Sequence, residues 1–580
     1  MTLGSEVEVG DRGGDRFADP VSVAVHLRPV IRTGIDERFA PSDPARGRDI
    51  AAHPRVAKVL RNRKFQFFLI LPNQLVFWLV ILLGLVGTVV PGLNFATAIT
   101  WYIWFCLVFV MMVVVGRAWC AMCPFGGFAE WVQRLTFWNR TQRRLGLGRR
   151  LPESVARYGF LLSVASFLLL TWVEEYFNIA GPGGPWATSF MVLGIVAAAL
   201  AFFLIFERRT FCRYFCPLSA LIGTVGAMGS VAGFRARDRE VCLTCATKEC
   251  MRGGVDGYGC PWYTWPASAD SNLSCGLCSE CYKGCSHDNI GLFLQPPLTS
   301  VIAPTRRRAD VAWSVALLWG LVVYQQFNAT NVFASIDGWL NRVTHLAYPN
   351  PVDYVGIIAL VALATSGVVK LAQLAVARRD LDPPGEVRYA PFPLPTRGAP
   401  PLTRPLAGPA PEPATAWRSG SGSLAEREIT GGVGLAVAED PRPDAANCAS
   451  RPTSFRYYFL PLMYGLIPVV GADFFARQLP KFFQHATRIV PAVGHLFGAG
   501  SVTSSLYNVR LLANPTIVAV QVAVVGLGAI ASMWASWKIS GRELVAISRH
   551  PVAARLIALA LPLACGVVAA SFYVAMHAAA

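Results

Sequence analysis

The sequence predicts an all-α polytopic membrane protein, with about nine transmembrane helices, that carries one inserted small α+β domain. Hydrophobic residues make up 54% of the chain and charged residues only 15%, whereas a soluble chain carries about 25% charged residues. The apolar residues fall into runs long enough to cross a bilayer as helices. Ten of the fifteen cysteines lie between residues 207 and 309, which indicates a separate segment that carries the chemistry.

The predicted membrane helices follow from runs of roughly 20 mainly apolar residues, because a helix of that length crosses the hydrocarbon core. These runs lie near residues 66–90, 95–116, 157–176, 187–206, 310–332, 353–377, 455–474, 514–537 and 553–577. Polar segments divide them into blocks. The first 64 residues lack the apolar core of a secretory signal, so we expect a cytoplasmic N-terminal arm without fixed structure.

The net charge of +17 is distributed in a way that indicates membrane topology. Basic residues cluster beside the ends of apolar runs, as in "RLTFWNRTQRRLGLGRR" after the second run and "TRRR" before the fifth. Cytoplasmic loops carry such an excess of Lys and Arg. We therefore expect a bacterial inner-membrane protein with a cytoplasmic N-terminus and a cytoplasmic insert. Because the positive charge lies beside the predicted membrane helices, we expect the lipid bilayer to be its partner and expect no binding of nucleic acid.

The order of these segments predicts six regions. The Pro- and Gly-rich segment cannot bury enough apolar surface to fold, so we expect a disordered linker there. The regions are an N-terminal arm at 1–64, a four-helix membrane core with two Cys-Pro hairpins at 65–234, the cytoplasmic insert at 235–300, helices five and six at 301–379, the linker at 380–452 and a three-helix membrane region at 453–580.

The membrane core repeats a motif at the ends of its second and fourth helices. These ends read "GRAWCAMCPFGGF" and "RRTFCRYFCPLSAL", which indicates an internal duplication. Spacings of three and four residues place both sulfurs of a pair on one helical face. The prolines at 124 and 217 should break each helix there. The four cysteines are candidates for an additional cluster, a copper site or redox thiols: Cys120, Cys123, Cys212 and Cys216.

Eight further cysteines in the insert predict two [4Fe–4S] clusters. In two-cluster ferredoxins the fourth cysteine of each run binds the cluster of the other run. The downstream cluster would then be held by Cys275, Cys278, Cys281 and Cys260. The upstream cluster would be held by Cys242, Cys245, Cys250 and Cys285. The insert is thus a predicted two-cluster ferredoxin-like domain, although the upstream run has longer spacings than a ferredoxin run.

Two other readings of these cysteines have to be weighed. Zinc sites favour paired CxxC units, but three cysteines separated by two residues each are crowded for one tetrahedral ion. A disulfide framework is disfavoured in a reducing cytoplasm. The spacing therefore favours iron–sulfur clusters.

The combination of "CAMCPFG", "CRYFCPLSA" and the double cysteine run resembles the membrane-bound polyferredoxins of the NapH/NosR type, which are 4Fe–4S membrane electron-transfer proteins. The resemblance covers about residues 60–300. It implies electron transfer between a quinol pool or a cytoplasmic donor and a redox partner enzyme. The chain would then be a redox component, such as a quinol dehydrogenase subunit, with redox partner proteins and a quinone as candidate partners. No catalytic residue is predicted.

Polar residues inside the apolar runs are candidates for a quinone site. They lie in "PNQ" (Pro72, Asn73 and Gln74) and in "WVEEY" (Trp172, Glu174, Glu175 and Tyr176). Interhelical hydrogen bonds and an aromatic belt explain them equally well. Two other functions remain open: a redox-sensing or assembly factor for a metalloenzyme, and a copper-binding or copper-reducing membrane protein.

Overall fold

The computed structural model describes residues 30–32, 47–138, 145–156, 158–181, 184–254, 256–304, 306–346, 348–377, 455–499 and 503–578. The N-terminal half of this part contains fourteen α-helices. They are α1 (Pro54–Arg61), α2 (Phe65–Val86), α3 (Phe95–Thr97), α4 (Phe105–Val115), α5 (Trp119–Met122), α6 (Pro124–Arg134), α7 (Glu153–Ala156), α8 (Gly159–Tyr176), α9 (Gly184–Ile205), α10 (Pro217–Gly226), α11 (Arg239–Thr244), α12 (Glu249–Arg252), α13 (Glu280–Lys283) and α14 (Thr299–Ile302).

The remaining described chain is also helical. Its helices are α15 (Ala309–Phe327), α16 (Asn331–Thr344), α17 (Pro351–Val376), α18 (Phe455–Gly465), α19 (Ile467–Ala476), α20 (Leu479–His485), α21 (Ile489–Leu496), α22 (Asn514–Glu543) and α23 (Pro551–Ala578). Five short strands complete the elements: β1 (Val30–Arg32), β2 (Arg48–Asp49), β3 (Val231–Ala236), β4 (Ile290–Leu294) and β5 (Arg306–Arg308). The predicted linker at 380–452 lies outside the described residues.

Eight helical segments of the described chain are long and apolar enough to cross a membrane, so the chain is a polytopic, mainly helical membrane protein. The sequence predicted about nine membrane helices, and the structure differs from this prediction at the fifth apolar run. Helix α15 is not among the eight, because Asp310, Gln325 and Gln326 interrupt its 19 apolar-rich residues. Thirteen of its residues are buried, which shows that neighbouring helices rather than lipid surround it.

The duplicated motif corresponds to two helical hairpins that pack against each other. The first consists of α2 and the segment from α3 to α6, and the second consists of α8, α9 and α10. Helix α9 packs on α2 and α6, and α10 packs on α4 and α8. The two cysteine-bearing ends are thereby brought to the same edge of the bundle.

The insert is built on a small antiparallel sheet with the strand order β2–β4–β3. Strand β4 pairs with β3 from Ala236–Ile290 to Val231–Leu294, with an irregularity near Gly233. The short helices α11 to α13 lie in the loops between these strands, where the cysteines are. The described structure thus has an α+β insert joined to the membrane helices through β3 and β4.

The predicted N-terminal arm at 1–64 differs from the structure at β1, which pairs with β5, and over its last part. Residues 47–64 form β2 and α1, and β2 pairs with β4 of the insert. The Asp49 carboxylate caps the following turn, accepts from the Leu292 amide and pairs with Arg237 at 2.8 Å. Residues 33–46 and 1–29 lie outside the described part. The ordered segment exists because the insert offers an unpaired strand edge, which composition does not reveal.

The predicted three-helix region at 453–580 packs directly on the membrane core. One cluster of buried apolar side chains extends from Val108 of α4 through α15 to Tyr573 of α23. Arg307 donates to Glu543 at 2.9 Å, and both side chains are almost completely buried. The tail helices are therefore part of the same packed unit as the hairpins.

Candidate metal centres and the adjoining cavity

Each hairpin ends with a cysteine at the point where a helix breaks. Cys123 precedes α6 with φ −66° and ψ 124°, and Cys216 precedes α10 with φ −62° and ψ 122°. Proline stands at the first position of each new helix, and because it has no N–H group it needs no acceptor there. The free amides of the first turn face the sulfur instead: those of Phe125 and Gly126 face Cys123, and that of Leu218 faces Cys216. Such donors stabilise a thiolate.

The unequal spacing of the two pairs has a local structural explanation. Cys120 and Cys123 lie on and after the short helix α5. The second pair is one residue longer, and its segment Phe211–Phe215 forms a π-helical turn. A π turn accommodates one extra residue and often marks a functional site. The second cysteine of each pair therefore lies at an equivalent helix break, although the two pairs have different spacings.

Two buried arginines connect the hairpins to each other. Arg209 of the second hairpin donates to the Cys120 carbonyl oxygen at 2.9 Å and to the Glu130 carboxylate at 2.6 Å. Arg117 of the first hairpin donates to the Ser219 hydroxyl at 2.6 Å. These arginines precede the first cysteine of each pair by three residues. Their crossed contacts hold the two cysteine-bearing ends together.

The four membrane-edge cysteines, Cys120, Cys123, Cys212 and Cys216, line one cavity. The Cys212 sulfur lies so near the other hairpin that a Cβ atom added at Gly126 would be 3.2 Å from it. The structure therefore brings together the four residues of the two sequence pairs. We refer to them as the membrane-edge group.

The insert contains two further groups of four. Cys242, Cys245, Cys250 and Cys285 line one pocket and form the outer group. Cys281 faces the sulfurs of Cys260, Cys275 and Cys278, and we call these four the inner group; Cys281 also faces Cys250 of the outer group. The structure thus places Cys285 beside the upstream run and Cys260 beside the downstream run.

Polar groups around the outer group donate hydrogen bonds to its cysteine sulfurs. The Asn289 amide donates to the Cys285 sulfur at 3.3 Å, and its side-chain nitrogen donates to the Cys242 sulfur at 3.3 Å. The Lys248 amide donates to the Cys245 sulfur at 3.4 Å. Hydrogen bonds to thiolate sulfurs favour their charged form, which metals bind.

Two buried donors beside the inner group have no acceptor in the described part of the chain. They are the Trp262 indole nitrogen and the Ser279 hydroxyl. A Cβ atom at Gly276, between two inner-group cysteines, would lie 2.1 Å from that indole nitrogen. Buried donors are normally satisfied. Inorganic sulfide or cluster-bound thiolate would supply the missing acceptors, so the inner group fits an iron–sulfur cluster.

Burial and crowding raise the pKa of several insert thiols. Burial raises the pKa of Cys250 and Cys281, and facing cysteine sulfurs raise each further. Deprotonating such crowded thiols requires positive charge at the site, which iron supplies. In the described residues no set of three or more His, Cys, Asp or Glu side chains converges as a single metal ion requires.

The three groups follow one another from the insert towards the membrane. Cys250 of the outer group faces Cys260 of the inner group, and its carbonyl accepts from the Cys260 amide at 2.8 Å. The Arg209 guanidinium faces both Cys278 of the inner group and Cys212 of the membrane-edge group. Trp262 lies between these last two groups, since it also lines the membrane-edge cavity. The order is outer, inner, membrane-edge.

The cavity beside the membrane-edge group has a volume of about 260 Å³. Aromatic side chains, including Trp101, Trp104 and Phe167, form much of its wall. Polar and charged side chains also line it, and they come from the first hairpin, the second hairpin, α15 and the tail: Asn73, Thr171, Glu174, Gln325, Arg477, Gln478 and Lys481. An apolar space with few polar groups is typical of a small-molecule site.

The polar candidates in the apolar runs have different positions. Asn73 lines the cavity, whereas Gln74 is buried between Pro124 and Trp78 and holds helices together. Pro72 lies within α2. Glu174 lines the cavity, and its neighbour Glu175 accepts from Asn328 at 2.6 Å.

The other two aromatic candidates lie near the end of α8. Trp172 donates to the Pro349 carbonyl oxygen at 3.0 Å. The exposed Tyr176 stacks on it. These contacts are those of residues that hold the helix end in place.

Arg477 and Lys481 were missed as lining residues of this cavity. The Asp473 carboxylate, four residues before Arg477, accepts instead from Gln326 at 2.6 Å and from Tyr573 at 3.0 Å. Charged residues within an apolar segment are the available signal, because they are costly in a membrane unless they have a role.

Comparison with known proteins finds a family match for part of the chain. The model of the "4Fe-4S binding domain" family matches residues 97–147 and 188–234. These ranges contain the membrane-edge group and end before the eight insert cysteines. No solved structure matches the chain.

Two relatives match parts of the chain. A methylamine utilization ferredoxin-type protein, MauN, of Methylorubrum extorquens is 30% identical over 152 residues, which are 24% of this chain and 48% of the relative. An uncharacterized protein of Methanocaldococcus jannaschii is 24% identical over 188 residues, which are 31% of this chain and 74% of that protein. With the apolar helices, these matches support a membrane-associated iron–sulfur, ferredoxin-type electron-transport protein.

Proposed function

We propose that the chain is a membrane-bound electron-transfer protein with three [4Fe–4S] clusters, one in each four-cysteine group. The observation that carries this proposal is the order of the groups, from the insert through Arg209 and Trp262 to the membrane cavity. The family match to the two hairpins supports the third cluster. Bound clusters would supply one-electron transfer. The chain's own residues fix their order, their burial and the hydrogen bonds to their sulfurs.

We also propose that the cavity binds a quinol, as the resemblance to the NapH/NosR-type proteins implies. The aromatic walls suit a planar apolar ring, and the nearby membrane-edge group suits an electron acceptor. Glu174 is the candidate proton acceptor for the bound hydroxyl group. Arg477 and Lys481 would orient the ring oxygens and favour an anionic form after proton loss.

The insert would face the cytoplasm of a bacterium, because basic loops lie on that side. The outer group is the natural point of contact for a redox partner protein, since Cys245 and Cys285 are only partly buried. Electrons from the cavity would therefore leave the membrane through the insert, or enter it in the reverse direction when the partner is the donor.

The test is an iron and sulfide count on anaerobically purified protein, followed by EPR of the reduced sample. Four irons for each group give about twelve irons per chain. Cys216→Ser should remove about four of them, while the signals of the two insert clusters remain. About eight irons in both proteins would contradict the third cluster. Zinc in place of iron would contradict the whole proposal, and copper in the membrane-edge group would favour the copper-binding alternative.

A further inference from the structure

A second cavity lies between the insert and the membrane helices, and we call it the interface cavity. Its volume is about 160 Å³, whereas one water molecule needs only about 10–15 Å³. One wall comes from the insert, between residues 262 and 274. The other wall comes from the start of α8, the π-helical turn with Arg213, the residue before α15 and Tyr464 of α18. A ligand in this cavity would contact both parts of the molecule.

Three arginines line the interface cavity: Arg117, Arg213 and Arg308. Arg308 pairs with Asp310 at 2.5 Å. In the part of the chain that the structure describes, Arg117 and Arg213 form no ion pair with a carboxylate. Among the described lining residues Asp270 is the only carboxylate, and it faces an arginine of β3. The wall therefore carries positive charge that the described side chains leave unbalanced.

The Arg213 guanidinium is held between two aromatic rings of the cavity wall. Its carbon atom lies 4.4 Å from the ring centroid of Tyr263 and 4.6 Å from that of Tyr214. It also donates to the Tyr214 hydroxyl, which uses one of its five N–H donors. The described residues offer no acceptor to the others. A guanidinium fixed in this way, with donors unused, is suited to bidentate binding of a phosphate group.

Further donors line the same space. Arg117 is only 2% exposed, donates to the Leu273 carbonyl oxygen and stacks on Trp262 at 4.4 Å. Its Nε atom has no acceptor within the described ranges, although buried donors are normally satisfied. The Ser271 hydroxyl on the insert wall is half-buried. An anion in the cavity would accept from these groups as well as from Arg213.

The position of the interface cavity indicates a lipid as the source of that anion. Helix α8, which is long and apolar enough to cross the membrane, begins at the cavity wall. Tyr158, directly before α8, is 52% exposed, and exposed aromatic residues at helix ends mark the level of the lipid headgroups. Basic pockets between membrane helices bind the headgroups of anionic lipids.

We propose that the interface cavity binds a phosphate group, with Arg213 as its principal donor, and that this phosphate belongs to the headgroup of an anionic phospholipid. The ligand joins the insert to the membrane helices, because both contribute donors. The site does not depend on the proposed clusters or on the quinol cavity, since none of its contacts involves either of them.

Lipid binding to the full-length protein tests the site, after purification in a neutral detergent and removal of phospholipid. The probes are phosphatidylglycerol, zwitterionic phosphatidylcholine and inorganic phosphate. We expect phosphatidylglycerol to stay bound in native mass spectrometry and to raise the Tm, and phosphatidylcholine to do so less. Arg213→Gln should raise the Kd of phosphatidylglycerol about tenfold, because it removes charge-assisted hydrogen bonds.

Two further variants make the test specific. Ser271→Glu places a negative charge on the opposite wall without altering an arginine, so it should also raise the Kd, and it serves where Arg213→Gln fails to fold. Arg55→Gln is the matched control, because it removes the same charge from an exposed position on α1. It should leave the Kd unchanged. An unchanged elution volume in size-exclusion chromatography shows that a variant is folded.

The outcomes separate the alternatives. Equal affinity for phosphatidylglycerol and phosphatidylcholine, or unchanged affinity for phosphatidylglycerol in both cavity variants, overturns the proposal. An equal loss of affinity in Arg55→Gln would show a general effect of charge and overturns it too. Inorganic phosphate can raise the Tm above that in chloride of equal ionic strength while phosphatidylglycerol is not retained. If Arg213→Gln abolishes that rise, the phosphate site is supported, but its assignment to a lipid is overturned in favour of a soluble phosphate compound.

Discussion

At the scale of single residues, two cysteines combine a backbone role with a chemical one. Cys123 and Cys216 end one helix and precede the next, with nearly identical dihedral angles. The amides that a helix start leaves unpaired are directed at their sulfurs. This explains why proline follows each cysteine: it fixes the break and removes one donor that would otherwise need a partner.

The Arg209–Glu130 pair lies where it would affect two centres. Its guanidinium faces Cys212 and Cys278, so its positive charge would favour the reduced state of the clusters proposed for the membrane-edge and inner groups. Glu130 offsets part of that charge through a buried contact at 2.6 Å.

Glu130→Gln should therefore raise the reduction potentials of the membrane-edge and inner clusters. The expected shift is about 60 mV, which is a tenfold change in equilibrium constant for one electron. The outer cluster should change less because it is farther from Arg209. EPR-monitored redox titration measures all three, with Asp256→Asn as the control. Equal shifts in all three clusters would contradict this local effect.

At the scale of elements, the fit between the two hairpins depends on close approach of their ends. The first turn of α6 passes beside the π-helical segment that carries Cys212. Gly126 makes this possible because it has no side chain, and the extra residue of the π turn brings the sulfur to that place.

Gly126→Ala should therefore weaken the membrane-edge centre, since its Cβ atom would lie 3.2 Å from the Cys212 sulfur. We expect a loss of up to about four irons per chain, with unchanged signals from the insert. Gly194→Ala is the matched control, because a Cβ atom there meets open space. Full iron content in Gly126→Ala would contradict this prediction, because it would show that the hairpins can move apart without loss of iron from the membrane-edge group.

At the scale of the whole molecule, the tail completes the core instead of forming a separate unit. Arg307 precedes α15, and Glu543 ends α22, 236 residues further along the chain. Their buried ion pair is reinforced by hydrogen bonds from Arg307 to the carbonyl oxygens of Val301 and Ile302. The pair fixes how the tail sits on the hairpins.

Glu543→Gln should destabilise the protein by about 3–5 kcal/mol, because Arg307 would keep its charge in a buried place without a partner. The double variant Arg307→Met with Glu543→Met should recover most of that loss, since it buries no charge. Thermal unfolding in nanodiscs measures both. A double variant as unstable as the single one would show that packing rather than unpaired charge is responsible.

The tail also contributes charge to the cavity through α19 and α20. Lys481→Met should raise the Kd of a quinone analogue about tenfold, which corresponds to about 1.4 kcal/mol, and leave the iron content unchanged. The change removes a cation while keeping an apolar stem. Lys538→Met is the control because that lysine is exposed on α22. Binding followed by the EPR line shape of the membrane-edge cluster measures the difference, and equal affinities would place the ligand elsewhere.

The sequence by itself determined the membrane class of the protein and indicated which cysteines are candidates for its chemistry. Apolar runs are local, so membrane helices could be located from them, except at α15, where three polar residues and burial among other helices obscured the pattern. Cysteine spacing is local too. It indicated two groups of four in the insert and two pairs at the hairpin ends, because ligands close in sequence must lie close in space.

Only the tertiary structure decided how these parts meet. The four membrane-edge cysteines come from segments about 90 residues apart, and no spacing rule relates such segments. The cavity takes Asn73, Glu174 and Lys481 from three separate regions of the chain. Such contacts depend on which helix faces pack together, and that choice is made by the summed burial of many side chains over the whole chain.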